Sequence, residues 1–179
     1  MPPINYTPFI QLFNTEFKDT EATIIAESPD EPIYLPVDES NSFNRILYTK
    51  DSYTSVLHEI SHWCIAGSER RKKIDYGYWY KPGSQTPKEA ELYKKFESKT
   101  HGIEWIFCIA AGVPFHIIPN NVAAGFEISQ DLKEGVYAAT LNYLNHGLPA
   151  NAERFKQRLL KHYQREDLFD ISLFKFETL

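Results

Sequence analysis

The spacing of apolar and polar residues changes several times along the chain, and each change predicts a new element. Apolar residues recur every three or four positions, the pattern of an amphipathic helix, in segments 7–17, 52–66, 87–99, 101–111, 130–146 and 151–165. Short runs rich in β-branched and aromatic residues, which favour strands, occupy 22–28, 32–37 and 45–50, with further extended chain at 74–80. Segment 113–128 is predicted to be irregular, and no element is assigned to the tail 166–179.

Residues suited to capping stand at the ends of these helices. An N-cap side chain accepts a hydrogen bond from a backbone N–H of the first turn, and the predicted N-caps are Thr7, Asp51 or Ser52, Thr86, Ser129 and Asn151. Thr86 and Glu89 form a capping box, with proline between them at the first helical position. Glycines end three of the helices, at Gly67, Gly112 and Gly147, and Gly67 is expected in the left-handed conformation.

Strands and helices together, without repeats or a linker, predict one domain of the α/β (α+β) class. Its 179 residues are enough for one domain with a real core. We therefore expect a single catalytic domain over 1–179, with a small sheet packed against helices.

The charge balance and the cysteines narrow the class of protein. A net charge of −5 argues against a general nucleic-acid binder held by a basic field. No apolar run approaches the roughly 20 residues of a membrane span, and the first residues do not resemble a signal peptide. The two cysteines, Cys64 and Cys108, form no CxxC pair. These features predict a cytoplasmic protein with reduced thiols and no membrane or nucleic-acid partner.

The sequence HEISH, residues 58–62, carries the candidate chemistry. Residues four apart on a helix are neighbours, so the imidazoles of His58 and His62 can reach one metal ion. Glu59 completes the H-E-x-x-H pattern, in which the glutamate serves as a base or as a partner of a ligand. The same pattern also arises by chance, so the site depends on a third ligand.

Several carboxylates compete to be that third ligand. The extended zinc-peptidase pattern requires a metal ligand six residues after His62, but that position is Ser68. The next residue, Glu69, lies in a charged run. Asp75 falls on the predicted extended stretch. Glu97 lies on the apolar side of its predicted helix, where a carboxylate is costly unless it is paired or bound to metal. Glu97 is therefore the first candidate, and Glu104 is the second.

Two histidines and one carboxylate are compatible with two chemistries. They can form the facial triad of Fe(II) oxygen enzymes, which leaves coordination positions open. They can also hold zinc and a water molecule, giving a hydrolase in which Glu59 is the general base. The ligand types alone leave both open.

Longer segments of the sequence resemble one family. These segments are DEPIYLP (30–36), NRI (44–46), HEISHWCIAG (58–67), RR (70–71), DYGYWY (75–80) and EWIFCIAAGVPF (104–115). They are spread over most of the chain and resemble the elongation factor P hydroxylase family.

The resemblance implies a reaction and a site. It implies hydroxylation of the lysine of elongation factor P that already carries a β-lysyl group. It implies a fold like that of the metal-dependent endoribonucleases of ribosome maturation. By matching positions the metal ligands would be His58, His62 and Glu97, with Glu104 as the fallback. We expect Fe(II) as the metal and molecular oxygen as co-substrate.

Two further segments are candidates for binding this long cationic substrate. Aromatic side chains that could line a slot for it, through cation–π contact, are Tyr76, Tyr78, Trp79 and Tyr80. Arg70 and Arg71 could dock an acidic face of the partner. The competing interpretations are core packing for the aromatics and a solvated turn for the arginines.

Three other functions remain alternatives. A zinc metallopeptidase of the H-E-x-x-H type is the first. A metal-dependent endoribonuclease rests on the fold analogy alone, and the acidic balance argues against it. A non-catalytic module would hold its metal with four protein ligands.

Overall fold

A computed structural model describes residues 4–28, 30–49, 52–75, 86–117 and 128–179. Within them the chain forms three strands and five α-helices. In chain order these are α1 (Thr7–Phe17), β1 (Thr23–Ser28), β2 (Ile33–Leu35), β3 (Asn44–Thr49), α2 (Tyr53–Ile65), α3 (Pro87–Ala111), α4 (Gln130–His146) and α5 (Ala150–Tyr163). The predicted α+β class is confirmed. Likeness to the endoribonuclease fold stays a prediction.

The sheet is mixed, and β3 is its central strand. β1 pairs with β3 in parallel, and β2 pairs with the other edge of β3 in antiparallel fashion. Asp75 extends the sheet beyond β2, because it exchanges backbone hydrogen bonds of 2.7 and 3.0 Å with Tyr34. The start of the predicted extended stretch 74–80 is therefore extended chain, and residues 76–80 lie outside the described residues.

The ends of α1 and α2 follow the predicted bounds but not all the predicted caps. Thr7 is the first residue of α1, not its N-cap, and its N–H donates instead to Oδ1 of Asn5 at 3.1 Å. Ser52 is the N-cap of α2 and accepts from the N–H of Ser55 at 3.3 Å. The left-handed conformation predicted for Gly67 is wrong. The chain already leaves the helix at Ala66 in extended form, and the Gly67 carbonyl then accepts two N–H groups of the next turn.

The two helical segments predicted on either side of residue 100 are one helix, α3. The Thr100 hydroxyl bonds the carbonyl of Phe96 one turn earlier, at 3.2 Å, so this threonine continues the helix. Gly102 is a packing residue and not a break, since a Cβ there would lie 3.2 Å from the backbone nitrogen of Thr140 on α4. α3 ends at Ala111, and Gly112 follows it with a φ of +71°.

The last two helices also correct one cap. Ser129 caps α4 as predicted, accepting from the N–H of Leu132 at 3.3 Å, and Gly147 follows the helix with φ +100°. Asn151 does not cap α5, because the helix already begins at Ala150 after Pro149, and the Asn151 side chain accepts from Arg154 at 3.2 Å instead. The tail forms three short 3-10 turns.

The core lies between the helices, with α3 at its centre. α3 contacts α2, α4 and α5, while α1 and α2 cover the sheet. Aromatic rings fill the space among α1, α2 and α5, where Phe13 packs edge-on against Trp63 and Phe155 at 5.1 and 5.8 Å. Trp63 is 3% exposed and fills this core. Cys64 and Cys108 are buried free thiols.

None of the helices in the described part of the chain is both long enough and apolar enough to cross a membrane.

Candidate metal centre

Two helices bring the candidate ligands together. His58 and His62 lie one turn apart on α2, and the facing helix α3 presents Glu97, His101 and Glu104 at i, i+4 and i+7. Both patterns put their members on one face of a helix. The face on α3 is almost completely buried, because Glu97, His101 and Glu104 are 4%, 2% and 1% exposed.

Two imidazoles and one carboxylate converge between the helices. Nε2 of His58 and Nε2 of His62 are 3.0 Å apart. Oε2 of Glu97 lies 3.6 Å from Nε2 of His58, and Oε1 of Glu97 lies 3.5 Å from Nε2 of His62. The sequence therefore predicted a set of three side chains that the fold places side by side.

These separations fit one divalent ion. Metal bonds of about 2.1 Å that meet at about 90–110° separate the ligand atoms by about 3.0–3.4 Å. The measured separations of 3.0, 3.5 and 3.6 Å lie close to that range. Neutral imidazole and carboxylate are also the donor types that iron and zinc accept.

The other nitrogen of each histidine is engaged, which fixes the tautomers. Nδ1 of His58 donates to Oε2 of Glu104 at 2.9 Å. Nδ1 of His62 lies 3.3 Å from the hydroxyl of Thr100, which donates its own proton to the Phe96 carbonyl and so accepts from the imidazole. This assignment of protons follows from the hydrogen-bond network. When both rings are neutral, as metal binding requires, each therefore carries its lone pair on Nε2, and these two nitrogens lie 3.0 Å apart.

Glu104 occupies a different position from Glu97. Its Oε2 accepts from Nδ1 of His58 and from Nδ1 of His101, both at 2.9 Å. Within the described residues two groups have the geometry to hold a metal, namely His58–His62–Glu97 and His58–His101–Glu104. Glu104, the second candidate ligand, thus contacts Nδ1 of His58, whereas Glu97 lies near Nε2 of the same ring.

The electrostatics separate the two histidines. Burial alone would lower the pKa of His58, but its hydrogen bond to Glu104 and the charges of Glu104, Glu97 and Glu59 raise that pKa to about 9. Burial and then the positive charges of His58 and other neighbours hold the pKa of His62 well below its ordinary value. The proton therefore belongs to His58, and Nε2 of His62 acts as the acceptor.

The two remaining carboxyl groups also differ. Burial raises the pKa of Glu104, but the hydrogen bonds from His101 and His58 outweigh it, so the pKa falls below 4.5. Burial raises the pKa of Glu59 to about 7, and the nearby carboxylates act in the same direction against His58. Glu104 is therefore a fixed charge, whereas Glu59 can gain and lose a proton near neutral pH.

Glu59 faces a small cavity beside the ligand cluster. Glu59 and His62 line it together with Arg70 and Asp75, and the remaining lining residues are Tyr34, Ile46, Trp63, Ala66 and Arg71. Arg70 pairs with Asp75 through two nitrogens. Asp75 is thereby held in an ion pair, and the other rejected carboxylate, Glu69, is 82% exposed and pairs with Lys72.

The two arginines predicted to dock the partner point inward. The Arg70 guanidinium lies 4.5 Å above the Phe96 ring, which in turn stacks on His62 at 5.7 Å. Arg71 lies 4.1 Å above the Trp63 ring and donates to its backbone carbonyl at 2.9 Å. Of the predicted substrate-binding residues only these two are described, since Tyr78, Trp79 and Tyr80 lie outside the described residues.

His101 and Thr100 were not selected from the sequence. A signal existed, because Glu97, His101 and Glu104 repeat on one helical face at a spacing of four and three. The predicted break at residue 100 separated Glu97 from the other two and concealed the repeat.

Comparison with known proteins gives the family. The model of the family described as elongation factor P hydroxylase matches residues 12–173. A protein of Haemophilus influenzae named elongation factor P lysine hydroxylase is 38% identical over 169 residues, which is 94% of each chain. The family match, over residues 12–173, spans the positions of the candidate site. The chain therefore belongs to the elongation factor P hydroxylase family.

Proposed function

We propose that this protein hydroxylates the lysine of elongation factor P that carries a β-lysyl group, with a non-heme Fe(II) ion as cofactor and molecular oxygen as co-substrate. The relative from Haemophilus influenzae is named for hydroxylation of a lysine of elongation factor P. The observation that carries the proposal for this chain is the convergence of two imidazoles and one carboxylate within 3.6 Å. We place the reaction in the cytoplasm.

His58, His62 and Glu97 would hold the ion and leave positions open for other ligands. Bound Fe(II) would supply the activation of dioxygen, of which one atom would enter a C–H bond and the other would leave as water, with two electrons from an external reductant and two protons. The protein keeps water away from the α3 side of this site, because Glu97 and Thr100 are 4% and 0% exposed. His62 is also shielded on one side by the Phe96 ring.

Glu59 is the residue proposed to handle protons. It lines the cavity next to His62, and burial raises its pKa to about 7 in the metal-free site. It can therefore take up or release protons beside the ligand cluster without being a ligand itself. Arg70, Arg71, Tyr78, Trp79 and Tyr80 stay the predicted contacts to the substrate.

Mass spectrometry of the product tests the proposal. The chain is loaded with Fe(II) without air and then mixed, in air and with a reductant, with β-lysylated elongation factor P. We expect a gain of one oxygen atom with the wild type and none with Glu97→Gln. The matched control is Glu69→Gln, which changes an 82% exposed carboxylate and should leave the gain intact. If the iron-loaded wild type added no oxygen to β-lysylated elongation factor P, the proposal would be refuted.

A zinc hydrolase is the second candidate, favoured by one observation. Burial gives Glu59, the second residue of H-E-x-x-H, a pKa near 7, as suits a general base. This alternative predicts peptide cleavage with zinc and a severe loss in Glu59→Gln while the metal stays bound. The hydroxylase predicts dependence on iron and oxygen.

A further inference from the structure

One carboxylate oxygen joins two buried histidines behind the ligand cluster. Oε2 of Glu104 accepts from Nδ1 of His58 and from Nδ1 of His101, each at 2.9 Å. His58 is a proposed ligand, and Glu104 and His101 lie directly behind it. The Glu104 and His101 side chains are only 1% and 3% exposed. The imidazole rings of His58 and His101 lie side by side near this oxygen, with their centroids 4.7 Å apart.

A carboxylate at this depth is costly unless its charge is matched by donors. An ionised carboxyl group loses several kcal/mol of hydration on burial, and only hydrogen bonds to the charged form offset that loss. Two N–H donors meet at one Glu104 oxygen, so the arrangement requires that both imidazoles keep a hydrogen on Nδ1. His58 cannot turn its ring over without breaking this bond.

The consequence for His58 lies at its other nitrogen. With Nδ1 fixed as a donor to Glu104, the lone pair of the neutral ring stands on Nε2, 3.0 Å from Nε2 of His62 and 3.6 Å from Glu97. A carboxylate behind a ligating imidazole also increases the electron density on the ligating nitrogen. His101 completes the arrangement, since its Nδ1 gives the same Glu104 oxygen a second donor at 2.9 Å.

We infer that Glu104 and His101 are positioning residues, which hold His58 in the ring orientation and tautomer that bind the metal, while Glu97 is the ligand. The inference rests on the proposed function for the presence of the metal. It assigns different tasks to the two glutamates of α3. Glu97 touches the ion, and Glu104 acts only through His58.

A second metal ion at His58, His101 and Glu104 is the competing interpretation, because their ligand atoms also lie within 4.8 Å of one another. In that case Nδ1 of His58 would carry an ion and no hydrogen. The observed 2.9 Å from Glu104 to each imidazole is the length of a charged N–H···O bond. The number of ions bound per chain separates the two arrangements.

The experiment is a titration of metal-depleted protein with Co(II), whose visible absorption reports its ligands. Wild type is compared with Glu104→Gln, Glu104→Asp and His101→Gln, and each dissociation constant is measured against a competing chelator. The control is Cys108→Ala, one turn beyond Glu104 on the same helix and also buried. Unfolding temperatures without metal separate a loss of folding from a loss of binding.

We expect one Co(II) per wild-type chain. Glu104→Gln and His101→Gln should bind about 10–100-fold more weakly with the same ligand spectrum. Glu104→Asp should recover part of the affinity, and Cys108→Ala should lose thermal stability alone.

Wild-type affinity in Glu104→Gln, or two ions per wild-type chain, would overturn this inference and leave the proposed function standing. Failure of the wild type to bind any metal would instead overturn the proposed function, and this inference with it. The two failures are therefore distinguishable in one titration series.

Discussion

Replacing Thr100 by valine tests whether the tautomer of His62 is held by a single hydroxyl group. Thr100 is fully buried, its hydroxyl donates to the Phe96 carbonyl at 3.2 Å, and it accepts from Nδ1 of His62 at 3.3 Å. Valine has nearly the same shape but no hydroxyl. The substitution therefore removes two hydrogen bonds and leaves the packing volume almost unchanged.

The magnitude follows from the kind of bond removed. Both bonds join neutral groups and are longer than the usual ~2.9 Å, so each is worth about 1 kcal/mol at most. The imidazole N–H loses its acceptor in a buried place, which costs about 1–3 kcal/mol. We expect the free energy of unfolding to fall by about 1–2 kcal/mol. We expect the metal to bind about 3–10-fold more weakly, because the His62 ring can then carry its hydrogen on either nitrogen.

Thr140→Val provides the matched control. Thr140 is also fully buried on a helix, and its hydroxyl donates to the carbonyl of Val136 at 2.8 Å without touching the metal centre. Both variants should lose stability in denaturant unfolding, and only Thr100→Val should lose affinity in the Co(II) competition titration. Unchanged affinity in Thr100→Val, or an equal loss in both variants, would refute the role assigned to the hydroxyl.

Three other predictions concern stability. Burial alone would raise the pKa of Glu16, but Arg158 and Arg154 of α5 hold that pKa below 4.5. Glu16→Gln should therefore lower the free energy of unfolding by about 1 kcal/mol at neutral pH. In urea unfolding this difference should disappear as the pH falls through the folded pKa, and a pH-independent difference would contradict the prediction. Gly112→Ala should lower the free energy of unfolding by about 1–2 kcal/mol, because φ is +71° and the added Cβ would lie 2.9 Å from a guanidinium nitrogen of Arg165. The control Gly67→Ala should cost little, because a Cβ there meets nothing within 4 Å. Equal melting temperatures of the two variants would contradict the prediction. Metal at 100 times its dissociation constant should raise the wild-type melting temperature by about 5–11 °C in calorimetry, and no shift would contradict a folded-state site.

The ligands from α2 could be predicted from the sequence because they are local. His58 and His62 are four residues apart, and helix geometry alone places them on neighbouring turns. Glu97 could be selected because a carboxylate on an apolar helical face requires a partner. Bringing Glu97 within 3.6 Å of the histidines depends on how α3 packs against α2, which no local pattern contains.

The continuity of α3 could not be read from propensity. Thr100 and Gly102 both weaken a helix in isolation, so the pattern predicted two segments. In the fold the Thr100 hydroxyl donates a hydrogen bond to the Phe96 carbonyl of the preceding turn, and Gly102 allows α4 to approach closely. Tertiary packing thus overrides propensity where the functional side chains lie. The same packing places Glu104 within 2.9 Å of both His58 and His101.

The caps show a similar limit. Ser52 and Ser129 are N-caps as predicted, whereas Thr7 and Asn151 fall just inside their helices. A serine, threonine or asparagine near a helix start is a cap only if the preceding residue has not already begun the first turn. This depends on one residue of register, which the apolar pattern does not fix.

An anomalous difference map would locate the iron itself, from crystals grown with Fe(II) under anaerobic conditions and recorded at the iron absorption edge. We predict one peak, about 2.0–2.2 Å from Nε2 of His58, Nε2 of His62 and an oxygen of Glu97. Glu104 should remain on Nδ1 of His58. A peak among His58, His101 and Glu104, or no iron peak between α2 and α3, would contradict it.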